Sequence, residues 1–411
     1  MKILMIAPDA QMIDRRILQE AKTLTEKGHH VRLLSGFECG QEMEYEEDGI
    51  PIHRYNYDWD DERLKKIRAK LPDNDTIKMF VNRAFMIPAN RRVFGLTPFE
   101  MYMASKLMEF EADIIHVHDL PCLSAGVYAA KKRGIPLVFD AHELYYAQDT
   151  LTKKQQGFYR QYEKKYIRNA AKVITVNPFI AGLMAERDGI PEPAVILNAT
   201  EEIQDVEALR RESPLREKAR IPSDAKVFLY QGWISPERNI DSIVRSAKYL
   251  REDIYLVLIG YGAYLDALKD ICMEEQIEDR VRFLGEIPNA ELYNYTAGAD
   301  LGVIPYEPID ENHLYCSPNK LFEFVVSGLP FICNDLPFLK HIKDTYNVLE
   351  TCEMKNPKAI AETVNRIVCD PDALAQMRAR CIIAAKELNW RVEGEKLTNI
   401  YEDLQERYRI H

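Results

Sequence analysis

Long apolar runs are missing from this 411-residue chain. No stretch approaches the roughly 18–20 apolar residues that a helix needs to cross a bilayer, so no membrane span is expected. The apolar start, Met1 to Ala7, is cut by Pro8 and Asp9. It is too short for a secretory leader and reads as a buried first strand. Basic residues are in the minority: 54 Lys and Arg face 65 Asp and Glu, for a formal net charge of -11. That balance argues against broad nucleic-acid binding. The eight cysteines include no C-x-x-C. Reduced, mostly buried thiols in a cytoplasmic chain are the expectation. A nicotinamide-cofactor fingerprint is also lacking, because Ile259-Gly260-Tyr261-Gly262 is followed by Leu265 where the last glycine of G-x-G-x-x-G would fall. Low-complexity tracts and short repeats are not evident.

What is present is an alternation of apolar runs and amphipathic stretches, long enough for two domains. Lys2 to Ala7 reads as a strand. A helix follows from about Asp14, with Ile17, Ala21 and Leu24 on one face. Gly28 stops it, and Val31 to Ser35 is the second strand. This βαβ opening implies a parallel sheet. Further strands are expected at Asp113–Val117, Leu137–Asp140, Val173–Val176 and Ala194–Leu197, with helices at Leu123–Lys132 and about Lys154–Ala171. The polar stretch from Glu201 to Ala219 interrupts the pattern, and its start is taken as the domain boundary. Strands then resume at Val227–Tyr230, Tyr255–Ile259, Val281–Leu284, Leu301–Ile304 and Phe331–Cys333, with helices at Ile240–Leu250, Ala263–Glu275 and after Pro318. The fold class is therefore α/β, with two Rossmann-like doubly wound domains facing a cleft. Ligands bind such sheets at the carboxyl ends of their strands.

Three segments of the second half carry chemistry. In Ser317-Pro318-Asn319-Lys320-Leu321-Phe322-Glu323, Ser317 is placed to cap a helix whose first turn holds Pro318. The helix N-terminus and Lys320 suit a phosphate, and Glu323 suits ribose hydroxyls. An ordinary capped helix with a surface glutamate would look the same. In Gln231-Gly232-Trp233 through Asn239, Gly232 permits close backbone approach and Arg238 can clamp a diphosphate with its planar fork. The turn with Gly260 and Gly262 is a weaker signal. In the first half, His116-Val117-His118-Asp119 and Asp140-Ala141-His142-Glu143 end consecutive strands. His118, nearer its strand's end, is the better candidate for the cleft, while one histidine of the first pair has a structural role. A metal is not required by these spacings.

At these residues the chain resembles the family 4 retaining glycosyltransferases of GT-B fold, over nearly its whole length. Asp14-Arg15-Arg16 with Glu20-Ala21 and Gly28-His29, the two His/acid strand ends, Asp279-Arg280-Val281-Arg282-Phe283-Leu284-Gly285, Ala299-Asp300 and Ser327-Gly328-Leu329-Pro330 carry the likeness. The resemblance implies residues 1–200 plus about 392–411 as the acceptor-side domain, and 201–391 as the donor domain. Trp390 resembles the tryptophan before the last helix, which crosses back to the first domain. It further implies that Glu323 holds the donor ribose, Arg238 the diphosphate, and that His118 lies near the donor sugar. With Lys320 these are the catalytic candidates. Gly285 to Ile287 resembles a wall of the nucleobase pocket. Gly232, Gly260, Gly262, Ser317, Pro318, Asn319 and Leu321 complete the donor side. Asp14, Arg15, His118, Asp119, His142 and Glu143 fall to the acceptor side. Two positions depart from the family: Tyr315 stands where another acid is common, and Trp233 where an arginine often follows the glycine.

The implied reaction moves a hexose from a nucleoside-diphosphate sugar, with retained configuration and no metal or cofactor, to a glycan, lipid-linked or small-molecule acceptor. Two rivals remain: a nucleotide-sugar 2-epimerase-like isomerase, and a nucleotide-sugar-binding subunit without catalysis. Between Arg63 and Phe94 lies a stretch rich in Lys, Arg and interleaved aromatics. It reads either as a solvated helix pair or as a peripheral contact with the inner face of a membrane.

Overall fold

The computed structural model describes residues 1–8, 12–57, 70 and 95–410. The basic stretch from Arg63 to Phe94 therefore lies, but for Lys70, outside the described residues. Two sheets organise the rest. The first joins β1 (Lys2–Ile6), β2 (His30–Ser35), β3 (Glu38–Glu47), β4 (Ile50–Asn56), β5 (Ile114–His118), β6 (Leu137–Ala141), β7 (Lys172–Thr175) and β8 (Ala194–Val195). Their order is β3-β4-β2-β1-β5-β6-β7-β8. Every pairing is parallel except β3 with β4. The second sheet holds β9 (Lys226–Gln231), β10 (Ile254–Ile259), β11 (Val281–Gly285), β12 (Leu301–Ile304), β13 (Phe331–Cys333) and β14 (Leu349–Thr351), in the order β11-β10-β9-β12-β13-β14. It is wholly parallel.

The apolar strand runs have the expected cause. Helices cover both faces, so β1, β5, β6, β9 and β12 are buried nearly throughout. In each sheet the strand order reverses beside its first strand, between β1 and β5 and between β9 and β12. Crevices open at such switch points, beyond the carboxyl ends of the strands. The residues that follow these four strands are thereby aimed at one cleft.

The chain returns to the first sheet at its end. Asn389 caps the helix Trp390–Tyr408 by accepting from Val392 N. Leu397, Ile400, Tyr401 and Leu404 then pack with Ile3, Met5 and Ile17 of the first core. Trp390 Nε1 donates to Thr23 Oγ1 at 2.9 Å, and the Tyr401 hydroxyl bonds His116 Nδ1 at 2.9 Å. This is the crossing helix that the family resemblance implies.

Two local readings of the sequence are corrected. The helix expected from about Lys154 to Ala171 spans Lys153–Tyr166 and continues as a tighter turn, Ile167–Asn169, two residues short of Ala171. Asn169 Nδ2 caps it by donating to Tyr166 O at 2.8 Å, and Ala171 N already bonds Leu137 O. The antiparallel β3–β4 ribbon was not anticipated at all. Its signal was the dipeptide Asp48-Gly49, whose φ values of 51° and 78° make the two-residue turn between Glu47 and Ile50.

Candidate active site

A cavity of about 850 Å³ lies between the sheets, lined from the first half by Asp14, Asp119, His142, Glu143 and Asn198, and from the second by Arg238, Tyr306, Asn312 and Ser317 to Lys320. Its second-half wall begins where β9 ends. Arg238 closes a single helical turn, Pro236–Arg238. Asn239 behind it is pinned by donating from Nδ2 to Met354 O at 2.8 Å and Pro305 O at 3.3 Å. The Arg238 guanidinium lies over the Tyr306 ring, 4.5 Å from its centre. Lys320, in the first turn of the helix Asn319–Val326, donates to the Tyr306 hydroxyl at 3.0 Å and sits 5.3 Å from the centre of the Tyr230 ring. Lys320 is 8% exposed. Burial opposes its charge, but Tyr306 and Tyr230 outweigh that and hold its pKa above the ordinary lysine value. Among the described residues neither cation has a carboxylate within ion-pair distance. A buried lysine and a half-buried arginine with no ion-paired carboxylate among the described residues are a pair that an anion suits.

The glycines explain how Lys320 reaches this position. A Cβ on Gly232 would lie 2.7 Å from Lys320 Nζ, at a φ of +119°. Gly260 and Gly262 have a different cause. Their added Cβ atoms would meet Gly232 O at 1.9 Å and Ile234 O at 2.0 Å. They let two loops lie side by side, extending β9 and β10, and neither lines the cavity. The expected cap is also corrected. Pro318 stands at the N-cap position with no side-chain cap, so Ser317 is one residue too early to cap the helix. Ser317 Oγ is buried without a hydrogen bond among the described residues. Leu321 points into the core, fully buried. Gly285 and Ile287 lie outside the cavity lining, with Ile287 packed on the second-half core.

Glu323 is one helical turn beyond Lys320, with both oxygens engaged. Oε2 accepts from Gln231 Nε2 at 2.7 Å, and Oε1 accepts from Arg15 Nη1 at 3.1 Å. Arg15 also reaches the Tyr293 hydroxyl at 3.5 Å and lines a separate cavity of about 350 Å³. Its place on the acceptor side is thus corrected: the helix from Arg15 starts against the second half, and Arg15 turns towards Glu323.

The first-half wall is built on a chain of charges. Arg16 donates to Asp140 from Nε at 2.8 Å and from Nη2 at 3.1 Å. Asp140 Oδ2 lies 3.2 Å from His142 Nε2, and His142 Nδ1 lies 3.4 Å from Asp119 Oδ2. His142 N donates to Asp119 Oδ1 at 3.1 Å. Burial alone would lower the His142 pKa, but Asp119 and Asp140 outweigh it and push it up to about 10. Burial raises Asp119 to about 7, against the pull of His142. Asp119 also has a φ of 60° with a ψ of 159°, a conformation costly for a residue with a Cβ.

His118 is the chief correction on this wall. It is fully buried and absent from the cavity lining. Side chains two apart on β5 share a face, so His118 stacks on His116 at 4.2 Å between ring centres. Its Nδ1 lies 3.3 Å from His142 Nε2, behind that ring. Burial lowers its pKa to about 4, so it is neutral. Glu20, His116, His118 and Asp140 offer atoms within 4.8 Å of one another. Arg16 Nε, however, lies 3.0 Å from Glu20 and 2.8 Å from Asp140, so a guanidinium already serves both carboxylates.

The segment before Ser317 ties the two walls together. Asn312 Nδ2 donates to Glu143 at 2.8 Å while its Oδ1 accepts from Leu144 N at 3.0 Å. Gln148 also donates to Glu143. Tyr146 donates to Glu311 at 2.7 Å. Tyr315, at the position where an acid is common, packs against the first-half core and its carbonyl accepts from Asn177 Nδ2 at 2.7 Å. Trp233 is 47% exposed, with its ring beside that of Tyr261. Tyr306 and Asn312 were missed from the sequence. Tyr306 follows β12, and its place beyond a strand end was the available signal.

Two Rossmann-like domains across a cleft are the GT-B architecture. Residues 13–201 match the Glycosyltransferase Family 4 model, and residues 212–388 match the Glycosyl transferases group 1 model. The chain belongs to this glycosyltransferase family. It is 25% identical over 263 residues to alpha-monoglucosyldiacylglycerol synthase of Streptococcus pneumoniae, covering 57% of this chain and 54% of that protein. It is 23% identical over 323 residues to D-inositol 3-phosphate glycosyltransferase of Thermobispora bispora, covering 72% and 71%. The match to the first of these thus spans about half of its length. Among solved structures, HepE of Anabaena in complex with UDP superposes with a TM-score of 0.71 at 14% identity, covering 98% of this chain and 100% of that one. Sucrose-phosphate synthase of Thermosynechococcus elongatus gives 0.69 at 15%, covering 98% of each. At these identities the structural likeness concerns the fold.

Proposed function

We propose that this chain is a retaining, metal-independent hexosyltransferase that takes its sugar from a nucleoside-diphosphate sugar. The observation that carries this reading is the pair Arg238, half-buried over Tyr306, and Lys320, buried over Tyr306 and Tyr230, neither with an ion-paired carboxylate among the described residues. A diphosphate supplies the missing anion. The solved HepE complexes hold UDP or UDP-glucose, which suits this class of ligand. Glu323 takes the ribose hydroxyls, with Gln231 holding one of its oxygens. The bond from the anomeric carbon to the β-phosphate oxygen breaks, and its electron pair leaves with the phosphate. The acceptor oxygen bonds to that carbon from the same face, and its proton passes to the departing phosphate oxygen. Arg238 and Lys320 stabilise the charge that builds there, which is where preorganised cations lower a barrier most.

The first-half wall faces the acceptor, where Asp14, Asp119 and Glu143 can receive hydroxyls. The acceptor is a glycan, a lipid-linked sugar or a small molecule. No helix among the described residues is long and apolar enough to cross a membrane. A cytoplasmic enzyme with a peripheral membrane contact through residues 63–94 suits a lipid-linked acceptor. The test is release of nucleoside diphosphate from UDP-, GDP- and ADP-sugars. Arg238→Ala and Lys320→Met should each lower it by on the order of 100-fold, and EDTA should leave it unchanged. Loss of activity in EDTA, restored by a divalent ion, would refute the metal-free site.

A further inference from the structure

The first-half wall holds a feature that the proposed reaction does not yet use. His142 lines the cavity, whereas His118, the histidine that the family pattern singles out, lies behind it. Asp140 engages His142 Nε2 at 3.2 Å. His142 Nδ1, 3.4 Å from Asp119 Oδ2, forms an ion pair there without a hydrogen bond among the described residues. The ring that carries this nitrogen lines the cavity. The backbone accepts a costly conformation at Asp119, and its carboxylate meets both the ring and the backbone N–H of His142. Strain of this kind persists where the surroundings over-determine it, and it clusters at functional sites.

We propose that His142, clamped between Asp119 and Asp140, is a catalytic residue that presents a positively charged Nδ1–H to the sugar-phosphate linkage from the side opposite Arg238 and Lys320, with Asp119 as its positioning residue. This assignment rests on the proposed donor site. The groups that face His142 from its own half are Arg16, His118, Asp119, Asp140 and Glu143, with Glu20 behind them. Arg238 and Lys320 face it across the cavity. Their net effect follows from alternation along the chain. Arg16 is positive and Asp140 negative. His142 is positive and Asp119 negative above its raised pKa, while His118 stays neutral. The pair His142–Asp119 is therefore mainly ionised between about pH 7 and about pH 10, with each partner half ionised at its own end of that window.

The experiment uses the whole chain, with UDP as the binding probe and UDP-glucose, or whichever of the UDP-, GDP- and ADP-sugars is cleaved fastest, as the donor. His142→Gln should lower kcat for donor cleavage by on the order of 10- to 100-fold while the Kd for free UDP changes less than about threefold. An unchanged kcat, or equal losses in kcat and in UDP affinity, would overturn the assignment. Asp119→Asn provides a second readout that a merely structural role would not move. Wild type should lose rate as the pH falls through about 7, because Asp119 then takes up a proton. Asp119→Asn should abolish that acid step and move the alkaline fall to lower pH. A retained acid step would refute the role of Asp119. The two failures are distinguishable: wild type that neither binds UDP nor cleaves any donor contradicts the donor site and takes this assignment with it. Active wild type with an equally active His142→Gln variant contradicts this assignment alone.

Discussion

Removing a positive charge should strengthen the binding of an anionic nucleotide at one position. Arg15 Nη1 sits 3.1 Å from Glu323 Oε1. Glu323 is the carboxylate assigned to the ribose, so a nucleotide must displace Arg15 before it can use both oxygens. The Arg15 side chain is 34% exposed and that of Glu323 12%. A fully exposed pair contributes about 0.2–1 kcal/mol, and a buried charged hydrogen bond about 1.5–3 kcal/mol. After solvent screening is allowed for, this pair is worth roughly 1 kcal/mol. Arg15→Gln should then tighten nucleotide binding about fivefold, since about 1.4 kcal/mol is a factor of ten. The carboxylate should keep its orientation, because Gln231 still donates to Oε2 at 2.7 Å. Loss of the charge should matter little at the diphosphate, because Arg15 lies outside the cavity that holds Arg238 and Lys320. The assay is calorimetric titration with UDP, GDP and ADP at low and high salt. The gain should shrink in high salt, where the ion pair is screened. Weaker binding by Arg15→Gln at low salt would refute the reasoning and mark Arg15 as a donor contact.

Glu323→Gln should weaken nucleotide binding by about 1–3 kcal/mol, the scale of a lost charged hydrogen bond, and unchanged affinity would remove Glu323 from the ribose. Adding Arg15→Gln to Glu323→Gln should bring no further gain, because the two changes act on one interaction; additive effects in the same titration would show the sites to be independent. Trp390→Ala should lower stability by about 3–5 kcal/mol, as for other buried aromatics, measured by urea denaturation. A change below about 1 kcal/mol would mean that the crossing helix docks without it. If residues 63–94 meet a membrane, the chain should sediment with anionic vesicles and release in high salt, whereas no sedimentation at low salt favours a soluble acceptor.

The framework of the fold was legible because its strands are buried on both faces, so that runs such as Phe228-Leu229-Tyr230 and Leu256-Val257-Leu258 announce themselves. The second-half cations were legible for a related reason. Arg238 and Lys320 follow β9 and the turn after β12, and strand ends in such sheets face the cleft. What failed was side-chain direction. The sequence favoured His118, nearer the end of its strand, yet of His116, His118 and His142 it is His142 that lines the cavity, because β5 sends both of its histidines to one inner face. Gly260 and Gly262 looked like ligand approaches and are instead spacers between loops, a contact between segments about 28 residues apart that no local pattern encodes. Arg15 faced the wrong partner for the same reason: its pairing with Glu323 spans 308 positions. The β3–β4 ribbon was legible in Asp48-Gly49 and simply went unread.

The central claim is that Arg238 and Lys320 hold the diphosphate of a sugar donor whose configuration is retained on transfer. Proton NMR of the reaction with an α-linked UDP-, GDP- or ADP-sugar tests it most directly, followed in EDTA with wild type and with Arg238→Ala. The account predicts a nucleoside diphosphate and a sugar product that first appears as the α-anomer, at the same rate with and without EDTA, and a rate lower by on the order of 100-fold in Arg238→Ala. A donor epimerised without release of nucleoside diphosphate, a first-formed β-anomer, or an unimpaired Arg238→Ala variant would contradict it.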